Sequence, residues 1–202
     1  MQNSIKKAEN EIDVEKISEL AKEIWTEYYT SLIGPTQTAY MISKFQSADR
    51  IREDIKKRGY SYFAVYENGD KTTGSSADIR NRGNDFDGIG PKPVGYFALQ
   101  PDEKGVFISK IYILKEYRRR GIAGEIIRFS VCFAKKAVES SETKFDAKRY
   151  ENPRLWLTVN KNNSGSIEFY KKNGFEIIEE AVTDIGNGFV MDDYIMAFFF
   201  EA

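Results

Sequence analysis

Three arginines followed by two glycines form the stretch of this 202-residue chain that is best suited to bind an anion. It reads Arg118-Arg119-Arg120-Gly121-Ile122-Ala123-Gly124. Residues 106–114 before it are β-branched and aromatic, as in a strand, and residues 125–138 after it carry apolar residues at helical spacing. The first N–H groups of a helix have no partner within the helix, and glycines let a phosphate come close to them. The pattern predicts either a phosphate-binding turn or an ordinary strand-to-helix turn with solvated arginines.

The chain contains no histidine, and Cys132 is its only cysteine. Without histidine there can be no Ser-His-Asp or Cys-His catalytic group, and no metal site is predicted. Acid–base chemistry must therefore use carboxylates, tyrosines, lysines, the cysteine, water or the backbone. Cys132 lies among apolar residues of the predicted helix, so we expect a buried thiol rather than a nucleophile.

Two spaced motifs resemble those of the GCN5-related N-acetyltransferase (GNAT) superfamily. The first, Arg118-x-x-Gly121-x-Ala123, matches the family's Arg/Gln-x-x-Gly-x-Gly/Ala, which follows a central strand and opens a helix there as well. The second, Asn163-x-x-Ser166-x-x-Phe169-Tyr170-x-x-x-Gly174-Phe175, resembles Asn-x-x-Ala-x-x-Phe-Tyr-x-x-x-Gly-Phe, with Ser166 in place of alanine. The resemblance extends over roughly residues 12 to 200, which is nearly the whole chain.

The resemblance implies the GNAT acyl-CoA N-acyltransferase fold, a mixed α/β (α+β) architecture whose mostly antiparallel central sheet is flanked by helices. We expect a single domain over residues 1–202, with Asp13 capping the first helix at 14–33. Residues 68–93 are rich in glycine, proline and asparagine. A GNAT hairpin is normally short here, so these residues are predicted to be a loop insertion. The insertion is expected to be either a surface flap without function or a partly disordered segment.

The resemblance also implies acetyl-CoA as cofactor. In this interpretation the backbone N–H groups of residues 119–124 hold the pyrophosphate, and the backbone of Ile111 and Ile113 pairs with the pantetheine amides. A backbone N–H there would also polarise the thioester carbonyl. The predicted cofactor-binding residues are Ile111, Tyr112, Ile113, Arg118, Arg119, Arg120, Gly121, Ile122, Ala123, Gly124, Asn163 and Ser166.

Tyr170 stands where the family places the tyrosine that protonates the leaving thiolate, so it is the predicted catalytic residue. The alternative is a core aromatic beside Phe169. The general base stays open, because residues 108–111 lack the carboxylate that many relatives carry on the central strand. Composition offers three candidate bases, each of which could instead be a structural or solvated carboxylate: Glu27, Asp192 and Asp193. A water relay is a further alternative.

A looser similarity, in residues 183–194 and in the aromatic first helix, is to a subgroup of bacterial GNATs that includes PaiA-like polyamine acetyltransferases. It implies a small cationic amine as acceptor, with protein N-termini as an alternative. The predicted substrate residues are Trp25, Glu27, Tyr28, Asp192 and Asp193. The predicted function is transfer of an acetyl group from acetyl-CoA to a primary amine of a small molecule or peptide by direct attack. The alternative is a non-catalytic acyl-CoA-binding sensor.

Bulk properties narrow the expected partners. The formal net charge of −1 argues against nucleic acid as the main partner. No apolar run approaches the ~18 residues of a membrane span, and the N-terminus lacks the apolar core of a signal peptide, so we expect a cytoplasmic protein. The apolar residues 197–200 would aggregate if exposed, and we expect them to be covered by the core or by a homodimer interface.

Overall fold

The computed structural model describes residues 3–67, 91–139 and 153–200. Its helices are α1 (Glu11–Ile33), α2 (Pro35–Met41), α3 (Ala48–Lys57), α4 (Ile122–Glu139) and α5 (Ser164–Lys172). Its strands are β1 (Ser4–Lys7), β2 (Ser61–Tyr66), β3 (Gly95–Asp102), β4 (Gly105–Ile113), β5 (Arg154–Asn160), β6 (Glu176–Gly186) and β7 (Phe189–Phe199).

The strands form a seven-stranded sheet in the order β1-β2-β3-β4-β5-β7-β6. β4 and β5 run parallel, as expected for strands joined by a helical crossover. The pairs β1–β2, β5–β7 and β6–β7 are antiparallel. The predicted mixed α/β class, with a mostly antiparallel sheet flanked by helices, is confirmed.

Contacts within the chain divide it into two compact units. The first consists of Met1–Lys57, Ser61–Phe97 and Tyr112–Ile122, and the second of Arg58–Tyr60, Ala98–Ile111 and Ala123–Ala202. The single domain predicted over residues 1–202 stays a prediction. The predicted insertion at 68–93 lies outside the described residues except for its last three.

In the first unit, α1 begins earlier than the sequence predicts. Asn10, not Asp13, is the N-cap, and its side-chain oxygen accepts the N–H of Asp13 at 3.0 Å. Asp13 lies in the first turn, where its carboxylate accepts the N–H of Glu9 at 3.0 Å and that of Asn10 at 3.4 Å. The two side chains form a capping box, so the predicted cap is wrong by three residues.

Two hydrogen-bonded groups connect helical segments of the first unit to its strands. The Asp54 carboxylate of α3 accepts hydrogen bonds from Arg50 Nε at 2.8 Å and from the Tyr62 hydroxyl of β2 at 2.7 Å. The hydroxyl of Tyr96 in β3 donates to Gln46 Oε1 at 3.1 Å. These bonds fix α3 and the π-helical segment Ile42–Gln46 against the strands.

In the second unit, the expectation of a buried Cys132 is wrong, and the apolar C-terminal residues are covered only in part. Cys132 is exposed rather than buried, because it lies on the solvent face of α4 with Arg128, Lys135 and Lys136 at helical spacing. Near the C-terminus, the ring of Phe198 lies 5.9 Å from that of Phe175, but Phe199 is 41% exposed on the opposite face of β7. Among the described residues, the cover of residues 197–200 is therefore incomplete, and the homodimer interface stays a prediction.

Candidate functional site

The turn between β4 and α4 has the shape of an anion-binding segment. A 3₁₀ turn, Lys115–Tyr117, follows β4. In this turn the N–H of Tyr117 donates to Leu114 O at 3.0 Å, and the N–H of Arg118 donates to Lys115 O at 3.1 Å. Donors for an anion must therefore begin at Arg119. The backbone is left-handed at Arg119 (φ 63°) and again at Gly121 (φ 83°), a conformation that gathers successive N–H groups on one side.

The glycines leave the surface of this turn open. A Cβ at Gly121 would have no heavy atom within 4 Å, and one at Gly124 would meet only Arg128 Nη1, at 3.5 Å. Packing against the described residues therefore does not explain either glycine. Backbone donors at a helix N-terminus beside an open surface fit a diphosphate group such as that of CoA. Ile122 is buried and Ala123 is half-buried, and they begin the helix that carries these donors.

The arginine side chains bind mostly to the protein itself. Arg118 Nε donates to the carbonyl of Ile113 at 2.9 Å, and its guanidinium lies 4.9 Å from the centre of the Tyr28 ring. Arg120 pairs with Glu67 at 3.0 Å. The side chain of Arg119 is exposed. The turn is thus better prepared to hold an anion with its backbone than with its arginine side chains.

The pairing of the central strands ends before the strands do. The β4–β5 register runs from Gly105 opposite Arg154 to Ile108 opposite Leu157. β4 continues to Ile113 and β5 to Asn160. Ile111, Tyr112 and Ile113, the predicted pantetheine-binding residues, are the last three of β4 and lie beyond this register.

The first unit gathers predicted substrate and cofactor residues into one aromatic cluster. The Trp25 ring stacks on Tyr29, with centroids 4.1 Å apart, and lies 5.5 Å from Tyr112. Tyr28 contacts Tyr29 edge-on at 5.0 Å. Tyr96 lies 5.3 Å from Tyr112, and burial raises the pKa of its phenol well above the usual range. Trp25, Tyr28, Tyr112 and Arg118 are therefore brought together.

Tyr29 and Tyr96 belong to this cluster but were not among the site residues predicted from the sequence. Tyr29 follows Trp25 by four residues, and that spacing places both rings on one face of α1. The signal for Tyr29 was therefore present in the sequence. Tyr96 joins the cluster because β3 lies beside β4 in the sheet, which places its ring near Tyr112. The sequence alone does not specify this contact. Glu27, a predicted base and substrate residue, instead faces Lys115 across 3.8 Å at the surface.

The second unit holds the remaining predicted residues. Asn163 is the N-cap of α5 and accepts the N–H of Ser166 at 3.3 Å. About two helical turns after Asn163, the half-buried Tyr170 ring lies 5.5 Å from Phe169 and 5.7 Å from Phe175. The Tyr170 ring is thus held between aromatic neighbours on α5 and at the start of β6.

The adjacent carboxylates of β7 have different surroundings. Asp192 is exposed and binds Lys161 Nζ at 2.7 Å, while Glu180 binds the same ammonium at 2.8 Å. Asp193 is buried, with 8% of its surface exposed. Burial, and to a lesser degree the neighbouring charge of Asp192, raise the pKa of Asp193 to about 6.

The described residues show neither a membrane-spanning helix nor a metal-binding cluster. In residues 3–67, 91–139 and 153–200, no helix is long and apolar enough to cross a membrane. Within the same ranges, no group of three or more cysteine, aspartate or glutamate side chains is arranged to hold a metal ion.

Comparison with known proteins gives one family match and several similar folds. The family described as "Acetyltransferase (GNAT) domain" matches residues 59–177. "Probable N-acetyltransferase san" of Drosophila melanogaster is 35% identical over 78 residues, which are 39% of this chain. The chain thus spans 36% of the length of that curated relative.

Two solved structures share the fold over nearly their whole lengths. PaiA N-acetyltransferase from Thermoplasma acidophilum, solved in complex with coenzyme A, has a TM-score of 0.67 at 18% identity, over 99% of this chain and 100% of that one. A GCN5-related N-acetyltransferase from Rhodopseudomonas palustris has a TM-score of 0.65 at 14% identity, over 99% and 97%. At these identities the likeness establishes the fold.

The family match covers more than half of the residues and includes both β4 and the turn that opens α4. It also includes α5 with Asn163 and Tyr170, so both motifs noticed in the sequence fall inside it. The predicted family is confirmed. The chain belongs to the GNAT family of acetyltransferases, enzymes that take their acetyl group from acetyl-CoA.

Proposed function

We propose that this protein is an N-acetyltransferase that transfers the acetyl group of acetyl-CoA to a primary amine by direct attack of the amine. The observation that carries the proposal is the turn before α4, with backbone donors from Arg119 onward and an open surface over Gly121 and Gly124. Bound acetyl-CoA supplies an activated acetyl thioester. The chain's own residues must bind it, orient it and handle the protons.

Backbone groups do most of the binding in this proposal. The N–H groups of residues 119–124 hold the diphosphate, supported by the helix dipole of α4. The backbone of Ile111 and Ile113, beyond the paired part of β4 and β5, holds the pantetheine amides. Asn163 and Ser166 at the start of α5 support the cofactor from the second motif.

Tyr170 is proposed as the acid that gives a proton to the leaving thiolate. Its ring is packed between Phe169 and Phe175, which restricts its rotamers and so fixes the position of the hydroxyl. The polar end of a half-buried tyrosine can reach a ligand while its ring stays in the core.

For the acceptor we propose a small cationic amine. Tyrosine and tryptophan rings attract cations, and Trp25 and Tyr28 belong to a cluster of such rings. The aromatic cluster therefore supports an amine that carries positive charge. A peptide N-terminus also carries an ammonium group, so a peptide remains the alternative acceptor of the same chemistry.

A non-catalytic acyl-CoA-binding sensor is the second candidate function. It is favoured by one observation, the lack of a carboxylate in residues 108–111 of the central strand. Both candidates predict CoA binding, and only the enzyme predicts release of free CoA when amines are added.

The experiment compares two glycine substitutions with matched backbone strain. Gly121→Ala and Gly188→Ala each place a side chain at a positive φ, 83° and 77°, with no atom within 4 Å of the new Cβ. Each should lower the free energy of unfolding by about 1–2 kcal/mol. Only Gly121→Ala puts a methyl group where the diphosphate should bind, so it alone should weaken CoA binding at least tenfold, about 1.4 kcal/mol.

Isothermal titration with CoA and urea unfolding of both variants measure these two effects. Equal CoA affinities would remove the turn from the cofactor site. A panel of amines and peptides with acetyl-CoA, read out as free CoA, then tests turnover. Tight CoA binding without turnover on any member of the panel would favour the sensor.

A further inference from the structure

Asp193 occupies a buried position on one face of the second unit. In the sheet it lies opposite Asn160 of β5 and Ala181 of β6. The β5–β7 register is continuous from Asn160 to Arg154, so side chains alternate between the two faces without interruption. Asp193 therefore points to the face opposite Phe198, the residue that packs against Phe175 at the end of α5.

The two oxygens of the Asp193 carboxylate are not equivalent. Asn160 Oδ1 accepts the N–H of Asn162 at 3.0 Å, so the amide NH₂ of Asn160 is the group left to bond Asp193. Asp193 Oδ1 is buried and has no hydrogen-bond partner among the described groups. A buried carboxylate oxygen that accepts no hydrogen bond is unfavourable. A donor supplied by a ligand would satisfy it.

Among the described residues, no cation is bonded to this oxygen. The charged groups that act on the Asp193 carboxylate are Asp192 and Lys161, and the Lys161 ammonium is already shared by Asp192 and Glu180. The cross-strand neighbours Asn160 and Ala181 carry no charge. On the same face of β6, Glu179 lies opposite Ile195, and its carboxylate is exposed, so solvent screens its charge from Asp193. The surroundings therefore favour a positively charged donor.

We propose that Asp193 Oδ1 binds the ammonium group of the acceptor and removes one of its protons before the amine attacks. This inference rests on the proposed acetyltransferase function and names the base that the sequence left open. It also defines the acceptor chemically, as an amine that arrives protonated. An arylamine, which is uncharged at neutral pH, would not need Asp193.

The protons and electrons of the step balance. The ammonium gives one proton to the Asp193 carboxylate, which later releases it to water. The freed nitrogen lone pair forms the C–N bond while the C–S bond of the thioester breaks, and the electron pair of that bond leaves with sulfur. Tyr170 protonates the thiolate and recovers a proton when the nitrogen loses its second one. The sum is amide, free thiol and one proton released to water.

The raised pKa of Asp193 suits this role. A carboxyl with a pKa of about 6 is mostly ionised at pH 7 but accepts a proton more readily than an ordinary aspartate. The plot of kcat/KM against pH should therefore fall on its acid side near pH 6.

The test compares Asp193→Asn with Glu179→Gln, an exposed carboxylate on the same face of the next strand. Acetyl transfer is measured from pH 5 to 9 with 1,4-diaminobutane and with aniline. Asp193→Asn should lower kcat/KM for the diamine at least 30-fold and abolish the acid limb of its pH profile. The kcat/KM for aniline should stay within threefold of that of the unsubstituted protein. Glu179→Gln should stay within threefold of the unsubstituted protein for both amines.

A second readout does not depend on turnover. Calorimetric titration of the cofactor-free protein with 1,4-diaminobutane should give at least tenfold weaker binding in Asp193→Asn than in Glu179→Gln. Equal losses for the diamine and aniline, a retained acid limb, or unchanged diamine binding would each overturn the role of Asp193. CoA binding without turnover on any amine would instead overturn the proposed function, while the diamine titration would still decide on Asp193.

Discussion

Arg118 contributes to the site in a way that its charge alone does not reveal. Its Nε donates to Ile113 O and its guanidinium stacks on Tyr28, so the side chain ties the turn back to its own strand and to α1. The motif predicted Arg118 as a cofactor-binding residue, and the structure gives its side chain a separate task. Charge in a motif is thus an incomplete guide to which atoms bind a ligand.

At the same scale, Tyr170→Phe tests the acid. The substitution removes one hydroxyl and keeps the ring between Phe169 and Phe175, so folding and CoA affinity should change little. We expect kcat to fall 10²-fold or more, the contribution typical of a positioned acid. Rapid-mixing or steady-state measurement of CoA release gives kcat, and titration gives the affinity.

Tyr40→Phe is the matched control, since it removes a tyrosine hydroxyl that binds Lys44 at 2.5 Å on the surface of α2. Its kcat should match that of the unsubstituted protein. A Tyr170→Phe enzyme with full kcat would assign Tyr170 to the core alone.

Among the elements, the strand–turn–helix around Gly121 and the strand–helix around Asn163 were predictable because their signals are local. In each case a strand run, a turn and an apolar helical face lie within about thirty residues of one another, with glycines in the first turn and asparagines in the second. The boundaries of α1 were less predictable. Both Asn10 and Asp13 are good caps by type, and the choice depends on which of them can accept the third N–H of the helix.

The capping box of α1 gives a prediction about stability. Asn10→Ala removes the acceptor for the Asp13 N–H and should lower the free energy of unfolding by about 1 kcal/mol. Asn10→Asp retains a capping oxygen and should stay within about 0.5 kcal/mol of the unsubstituted protein. Urea unfolding followed by circular dichroism measures both changes. An unchanged free energy of unfolding in Asn10→Ala would show that the capping box contributes nothing to stability.

For the molecule as a whole, the sequence predicted the family and the mixed sheet, but not the burial of single residues. Cys132 and Asp193 show the difference. The burial of each residue depends on which face of its helix or strand packs against the rest of the chain. A helix with a broad apolar face does not specify the side on which Cys132 lies, and two adjacent aspartates in a strand do not specify which one is buried. The distinct roles of Asp192 and Asp193 follow from contacts with Lys161 and Asn160, which a single sequence does not specify.

The pH dependence of global stability follows from the same burial. The pKa of Asp193 rises from an ordinary 3.8 to about 6 on folding, so the folded state binds a proton more tightly than the unfolded state. The resulting stabilisation is present below pH 4 and is lost as the pH rises through 6, by at most about 3 kcal/mol. Asp193→Asn has no carboxyl group at this position, so its stability does not decrease in this way as the pH rises. The variant should therefore be more stable than the unsubstituted protein at pH 7, as expected when a strained functional group is removed.

Urea unfolding of the two proteins at intervals from pH 3.5 to 7.5 tests this prediction. The pKa of Asp102 is also raised by burial, but Asp102 is present in both proteins and cancels in the difference between their free energies of unfolding. That difference should grow in favour of Asp193→Asn between pH 4 and pH 6 and then level off. A flat difference would mean that Asp193 has a similar pKa in both states, and the case for a carboxylate without an adequate partner would fail with it.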